Sequence, residues 1–403
     1  MLKNNQQTIN KKILYAEAVF GEEEKKAVLK SMDNKWLASG PLVKEFEKKV
    51  ANLFGKKYGI AVNSGSSANL VALQSIPVEK GSEVITPACT FSTTVSSIVH
   101  AGLVPVFIDS VVGRYTINED LVEKAISPKT KVIMVPQLVG GVCDMPRLRK
   151  IANKHKLILI DDSCDTIAPY VKGKPAATYS DLTTTSFYGS HIITALGYGG
   201  MVMTDSKEIR DAIIVMRDWG RVGNDKEEFQ KRFNFEINGI PYDSKFLYSK
   251  LGYNLKMNEA AAAFGLEQLK KLNRFLKIRN YNFQQLTSYF SKYQNWFYIP
   301  QLLAGAKTNW LAFPLTVKKE APFKRYDFLK HMESKGIQTR VLFSGNITRH
   351  PVYKDIKFRV VGKLTNADEI MASSLLFGCH QALTKKDIQY VCTSADEFFR
   401  KYL

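Results

Sequence analysis

The sequence predicts an α/β fold, with a largely parallel sheet covered by helices on both faces and a smaller α+β domain after it. Three observations carry that expectation. Seven short runs rich in β-branched residues recur at 58–62, 83–86, 104–108, 131–135, 157–161, 183–188 and 200–204. Segments with helical apolar spacing, such as 68–74 and 144–155, lie between several of them, and strand alternating with helix is the signature of a parallel sheet. Beyond about residue 206 the pattern changes to shorter strand-like pieces, 310–317 and 336–342, and to helices at 325–334 and 384–399.

Taken in order, residues 1–35 read as an N-terminal arm, 36–270 as the large domain and 271–403 as the small one. The charged stretch 224–232 is expected to be exposed. The run 257–272, MNEAAAAFGLEQLKKL, is a strong helix whose four consecutive alanines permit close approach of a second helix. A chain of 403 residues, 45% hydrophobic and 24% charged, has ample material for a core and excludes disorder. No apolar run reaches the roughly 18 residues that would span a bilayer. Five scattered cysteines without a CxxC pair fit a reducing cytoplasm better than a disulfide framework, and no metal site is expected.

The net charge of +19 admits nucleic acid, a membrane surface or an anionic small substrate. Its lysines and arginines occur as dispersed doublets such as Lys270–Lys271, with no nucleic-acid motif beside them. A solvated basic surface therefore ranks first, a phosphate-bearing substrate second and nucleic acid a distant third.

In parallel sheets ligands bind beyond the carboxyl ends of the strands, and three motifs stand there. NSGSSAN, 63–69, follows the first strand; Gly65 allows a tight turn and Ser66 offers hydroxyl and N–H at a helix start, a phosphate-binding arrangement. LILIDDSCD places Asp162 at a strand end with Asp165 close behind; a carboxylate there can pair with a protonated ring nitrogen. TTTSFYGSHIITALGYGG gives a strand, then Ser186, then His191, then a glycine pair. A neutral imidazole is a natural proton acceptor. Tyr188, beside the serine, is expected to be a core aromatic rather than a pocket wall.

In this order the motifs resemble those of the DegT/DnrJ/EryC1/StrS sugar-nucleotide aminotransferase family. The resemblance runs from about Trp36 to the C-terminus and includes TPACTF (86–91) and GYNLKMNEAAAAFGLEQL (252–269). It implies the aspartate-aminotransferase-like fold, type I of the pyridoxal 5'-phosphate enzymes, with a mostly parallel seven-stranded sheet. By position it assigns Gly65, Ser66 and Ser186 to the cofactor phosphate and Phe91 to stacking on the pyridine ring. Asp162 falls to the ring nitrogen and Asp165 to the neighbourhood of the ring hydroxyl. Asn254 resembles an asparagine that reaches the phosphate from a neighbouring subunit, which implies a homodimer with shared active sites.

One departure bears on the reaction. The family's aminotransferases carry, five residues after the serine, the lysine that attaches the cofactor; here that position is His191, and no lysine lies between Lys174 and Lys207. A branch of the family with this replacement comprises sugar-nucleotide 3-dehydratases. The resemblance then implies pyridoxamine 5'-phosphate as working cofactor, His191 as base and a nucleotide-linked 4-keto-6-deoxyhexose as substrate, in deoxysugar and lipopolysaccharide biosynthesis. One subgroup of that branch carries a [2Fe-2S] cluster after an Asp-Trp-Gly-Arg segment. This chain has Asp218–Trp219–Gly220–Arg221 but no cysteine from Val222 to Phe233, so no cluster is expected. The other subgroup finishes by hydrolysis and restores the amine with L-glutamate; the chemistry favours this route, while several local motifs look more like the first. Arg340 and Arg349 are candidates for substrate phosphate or carboxylate. Two other readings stay open: an aminotransferase whose lysine has become histidine, and a catalytically silent relative that binds a sugar nucleotide.

Overall fold

The computed structural model describes residues 12–222 and 228–403. The first eleven residues of the expected arm, and 224–227 of the stretch expected to be exposed, lie outside the described residues.

The arm leads into α1 (Glu22–Asp33) and α2 (Pro41–Phe54). Proline at the first turn of α2 and left-handed Gly55 after it set its ends, and Val43, Phe46, Val50 and Phe54 form its buried stripe. The strands that follow are β1 (Tyr58–Val62), β2 (Glu83–Pro87), β3 (Val104–Ile108), β4 (Thr130–Pro136), β5 (Ile158–Asp162), β6 (Leu182–Ser186) and β7 (Gly200–Thr204). Between or after them lie α3 (Gly65–Gln74), α4 (Ser92–His100), α5 (Met145–His155) and α6 (Lys207–Arg217). All seven expected strands form one sheet, and an eighth joins it from late in the chain.

The long helix α7 (Glu259–Phe290) then leads to β8 (Phe297–Tyr298), β9 (Phe313–Val317), α8 (Arg325–Ser334) and β10 (Thr339–Val341). Last come β11 (Arg359–Val360), α9 (Thr365–Ser373), β12 (Ser374–Phe377) and α10 (Lys385–Phe399). The large sheet has the order β1-β7-β6-β5-β4-β2-β3-β11. β7 runs antiparallel to both its neighbours, and the other pairings are parallel. The extra edge strand β11 is only two residues long, too short to show as a β-branched run. The small sheet, β8-β9-β12-β10, is antiparallel.

The expected division at 270/271 falls inside α7, which is continuous. Its first half packs Ala261, Ala262 and Leu266 against α2, while Leu286 and Phe290 enter the small aromatic core with Phe313, Phe328 and Phe377. Glu259 explains the acid of the NEAAAA motif. Its carboxylate accepts from the backbone N–H groups of Gly40, Leu42 and Val43 at 2.8, 3.0 and 2.9 Å. It therefore satisfies the open donors at the start of α2 and stands at the positive end of that helix. Among the described residues no helix is long and apolar enough to cross a membrane.

Candidate active site

A cavity of about 540 Å³ opens at the carboxyl ends of β1, β5 and β6. It gathers Gly65, Ser66, Phe91, Asp162, Asp165, Ser186 and His191, all expected from the sequence.

The floor is built by the start of α3. Ser64 caps it, its hydroxyl accepting from Ser67 N at 3.1 Å, which leaves the earlier N–H groups directed at the cavity end. Gly65 is required there. A Cβ would lie 2.6 Å from Ser186 Cβ and 2.9 Å from Cys164 Sγ, so any side chain would push α3 off the end of β6. Ser186 is the last residue of β6 and pairs with Gly200 of β7, and a Cβ on Gly200 would stand 2.2 Å from Ser64 O. The glycines thus let three backbone segments converge on a point rich in N–H and hydroxyl donors, which suits a phosphate.

Asp162, at the end of β5, is buried and held from both sides. Asn69 Nδ2 and Thr94 Oγ1 each donate to its Oδ2 at 2.8 Å, and Cys164 N donates to Oδ1 at 3.2 Å. Thr94 follows Phe91, which precedes the first residue of α4 and is 47% exposed, so its ring stands free as a wall of the cavity. Phe343 meets Phe91 edge-on, ring centroids 5.6 Å apart. That contact is fixed because Ile347 N donates to Ala88 O at 3.0 Å and Ser344 Oγ donates to Thr90 O, tying the 343–347 loop to the TPACTF segment.

Asp165 accepts from Val139 N at 2.9 Å, and Val139 O in turn accepts from Leu311 N at 2.8 Å. Burial, with the charge of Asp162 adding to it, pushes the Asp165 carboxyl up to about 7. Val139 sits in the left-handed region at φ +57°, rare for a β-branched residue, and the Asp165 carboxylate holds it there.

His191 lies in the loop between β6 and β7. Its Nδ1 is 3.4 Å from Ser186 O, a geometry in which Nδ1–H donates and Nε2 remains an acceptor. Burial holds its pKa down to about 4, with the positive charge of Arg279 acting in the same direction. The ring is therefore neutral at ordinary pH. Among the described residues lining the cavity none is a lysine.

Three expected residues stand apart. Asn254 is exposed and absent from the cavity lining of its own chain; it forms a bridge with Asp218. Arg349 makes a two-point ion pair with Asp368, at 3.0 and 2.8 Å. Arg340 is exposed, donates to Thr339 O at 2.7 Å and covers the ring of Tyr15 at 5.6 Å. Tyr188 corrects an expectation: it is 48% exposed and lines the cavity, because β6 ends at Ser186 and the chain turns outward before the tyrosine. Missed altogether were Tyr15, Thr94, Leu311 and Phe343. Thr94, three residues after Phe91 at the start of a helix, carried a local signal; the others did not.

A model of the DegT/DnrJ/EryC1/StrS aminotransferase family matches residues 19–396. The chain belongs to that family. Among curated relatives, it is 36% identical over 396 residues to lipopolysaccharide biosynthesis protein RfbH of Salmonella typhimurium, covering 94% of this chain and 90% of the relative. It is also 36% identical over 404 residues to dTDP-4-dehydro-2,6-dideoxy-D-glucose 3-dehydratase of Saccharopolyspora spinosa, covering 95% and 86%. Among solved structures, E. coli GDP-4-keto-6-deoxy-D-mannose-3-dehydratase with bound hydrated PLP superposes with a TM-score of 0.87 at 28% identity, over 95% of this chain and all of that one. The fold is thus that of the type I pyridoxal phosphate enzymes, and the family modifies nucleotide sugars by dehydration or by amination.

Proposed function

We propose that this protein is a pyridoxamine-phosphate-dependent 3-dehydratase of a nucleotide-linked 4-keto-6-deoxyhexose. One observation carries the reading: the cavity wall five residues beyond Ser186 holds a neutral histidine, and no lysine is present among the described lining residues to attach the cofactor.

The residues fit the cofactor. The Gly65 cradle with Ser66 and Ser186 would hold its phosphate, Phe91 would stack on its ring, and Asp162 would pair with its ring nitrogen. Asn69, Thr94 and Cys164 N occupy other lone pairs of Asp162 and fix the carboxylate plane. When bound, the cofactor supplies a primary amine for the sugar ketone and a ring that accepts electrons. His191, with Nε2 free to accept, would serve as the base of the elimination and would hand the proton to the departing hydroxyl of sugar C3, so that it leaves as water. A base that is neutral and already oriented through Nδ1 suits both steps. Hydrolysis would then release the 3-deoxy ketosugar and ammonia, and L-glutamate would restore the amine. Asn254, exposed and outside its own cavity, would reach the phosphate in a second copy, which would make the working unit a homodimer.

The test is product mass and stereochemistry from a panel of GDP-, CDP- and dTDP-linked 4-keto-6-deoxyhexoses incubated with protein and pyridoxamine phosphate, with and without glutamate. A product lacking the C3 oxygen is expected. An amino sugar that retains that oxygen would overturn the reading in favour of transamination.

A further inference from the structure

The N-terminal arm delivers one side chain to the cavity. Ile13 N donates to Gly336 O at 3.0 Å and Gln338 N donates to Ile13 O at 2.8 Å, so the arm lies against the chain leading into β10. Tyr15 N donates to Gln338 Oε1 at 2.9 Å, and His380 Nε2 is 3.0 Å from Leu14 O. On the other side Gly378 admits the arm, since a Cβ there would stand 2.7 Å from both Leu14 O and Tyr15 O. The arm is thus clamped along its backbone, and the ring of Tyr15, under the Arg340 guanidinium, reaches the cavity.

Its hydroxyl is nevertheless unpaired. Eight buried side-chain polar atoms lack a hydrogen-bond partner among the described residues, and Tyr15 Oη alone belongs to a cavity-lining residue. A buried hydroxyl without a partner is destabilising, and native structures keep few of them without a reason. Burial, with Asp165 adding to it, raises the phenol well above its ordinary pKa, so the group stays protonated and able to donate. The residues proposed above to hold the cofactor stand at the strand ends, whereas Tyr15 enters with the arm and the segment holding Gln338 and Arg340.

We propose that Tyr15 positions the substrate, its hydroxyl donating a hydrogen bond to a sugar oxygen of the bound nucleotide sugar. This rests on the function proposed above. The test is Tyr15→Phe, which keeps the ring and removes only the unpaired group. Expected are kcat/KM for the 4-keto sugar nucleotide about tenfold lower, pyridoxamine phosphate affinity within about twofold of wild type, and a melting temperature unchanged or higher. A kcat/KM within about twofold, a loss that follows cofactor affinity, or a lowered melting temperature would each overturn it. Titration with GDP-perosamine, which has no ketone to react, separates the two proposals. If no 4-keto sugar is dehydrated, the reaction proposed above fails, and the wild-type and variant dissociation constants still decide the role of Tyr15.

Discussion

The two walls of the cavity are built in opposite ways. One wall is made by strand ends: Gly65, Asp162 and Ser186 follow β1 or close β5 and β6, and sheet register with close approach at the glycines brings them together. The other wall is made by Tyr15, Leu311 and Phe343, which come from the arm and two later loops and are held by packing and by hydrogen bonds between segments remote in sequence. The residues proposed to hold the cofactor thus stand on backbone already fixed by the large sheet. The surface proposed to face the sugar is assembled from segments outside that sheet.

The largest expected effect comes from the strand-end wall. His191→Asn keeps a polar group at the position of Nδ1 but removes the proton acceptor at Nε2. Dehydration should fall by about 10²–10⁴-fold while the far-ultraviolet dichroism and melting temperature stay as in wild type. Equal activity in the variant would remove His191 from the chemistry. Gly65→Ala ranks next. With Ser186 Cβ 2.6 Å from the new methyl, α3 must retreat from β6. Pyridoxamine phosphate affinity, read by absorbance titration, should drop about tenfold or more, a methyl clash of this kind costing about 1–3 kcal/mol.

The same contrast decides what was legible in the sequence. Gly65, Asp162 and Ser186 could be read because each follows a β-branched run and the carboxyl-end rule applies to every parallel strand. The two-residue strand β11 carried no such pattern, since its place is set by pairing with β3 across most of the chain. Tyr15 was illegible for a related reason: its partner Gln338 is remote in sequence, and nothing local marks a tyrosine in an arm as a cavity residue. Tyr188 was misread because strand periodicity was carried two residues past the real end of β6.

The packed wall should respond more mildly. Gly378→Ala places a methyl 2.7 Å from two carbonyl oxygens of the arm, which must lift away. A loss of about 1–3 kcal/mol in stability is expected by denaturant titration. The KM for the sugar nucleotide should rise, while cofactor affinity, which the proposal assigns to the other wall, should change little. Equal losses in both would mean that the two walls are not independent.

An effect confined to one pH interval is expected at Asp165, where the walls touch through Val139 and Leu311. Its carboxyl is pushed up from 3.8 to about 7 by burial, so the folded state prefers the protonated form. Below the unfolded value both states are protonated and the group costs nothing. As pH rises from there toward about 7 the unfolded chain gains by ionising and the folded one does not, so stability is lost across that interval. Asp165→Asn removes the ionisation and keeps an oxygen to accept from Val139 N. Its melting temperature should exceed that of wild type by a few degrees above neutral pH, and the gap should close as the medium is made acidic. A constant gap at all pH values would show that the residue acts through its hydrogen bond and not through its charge.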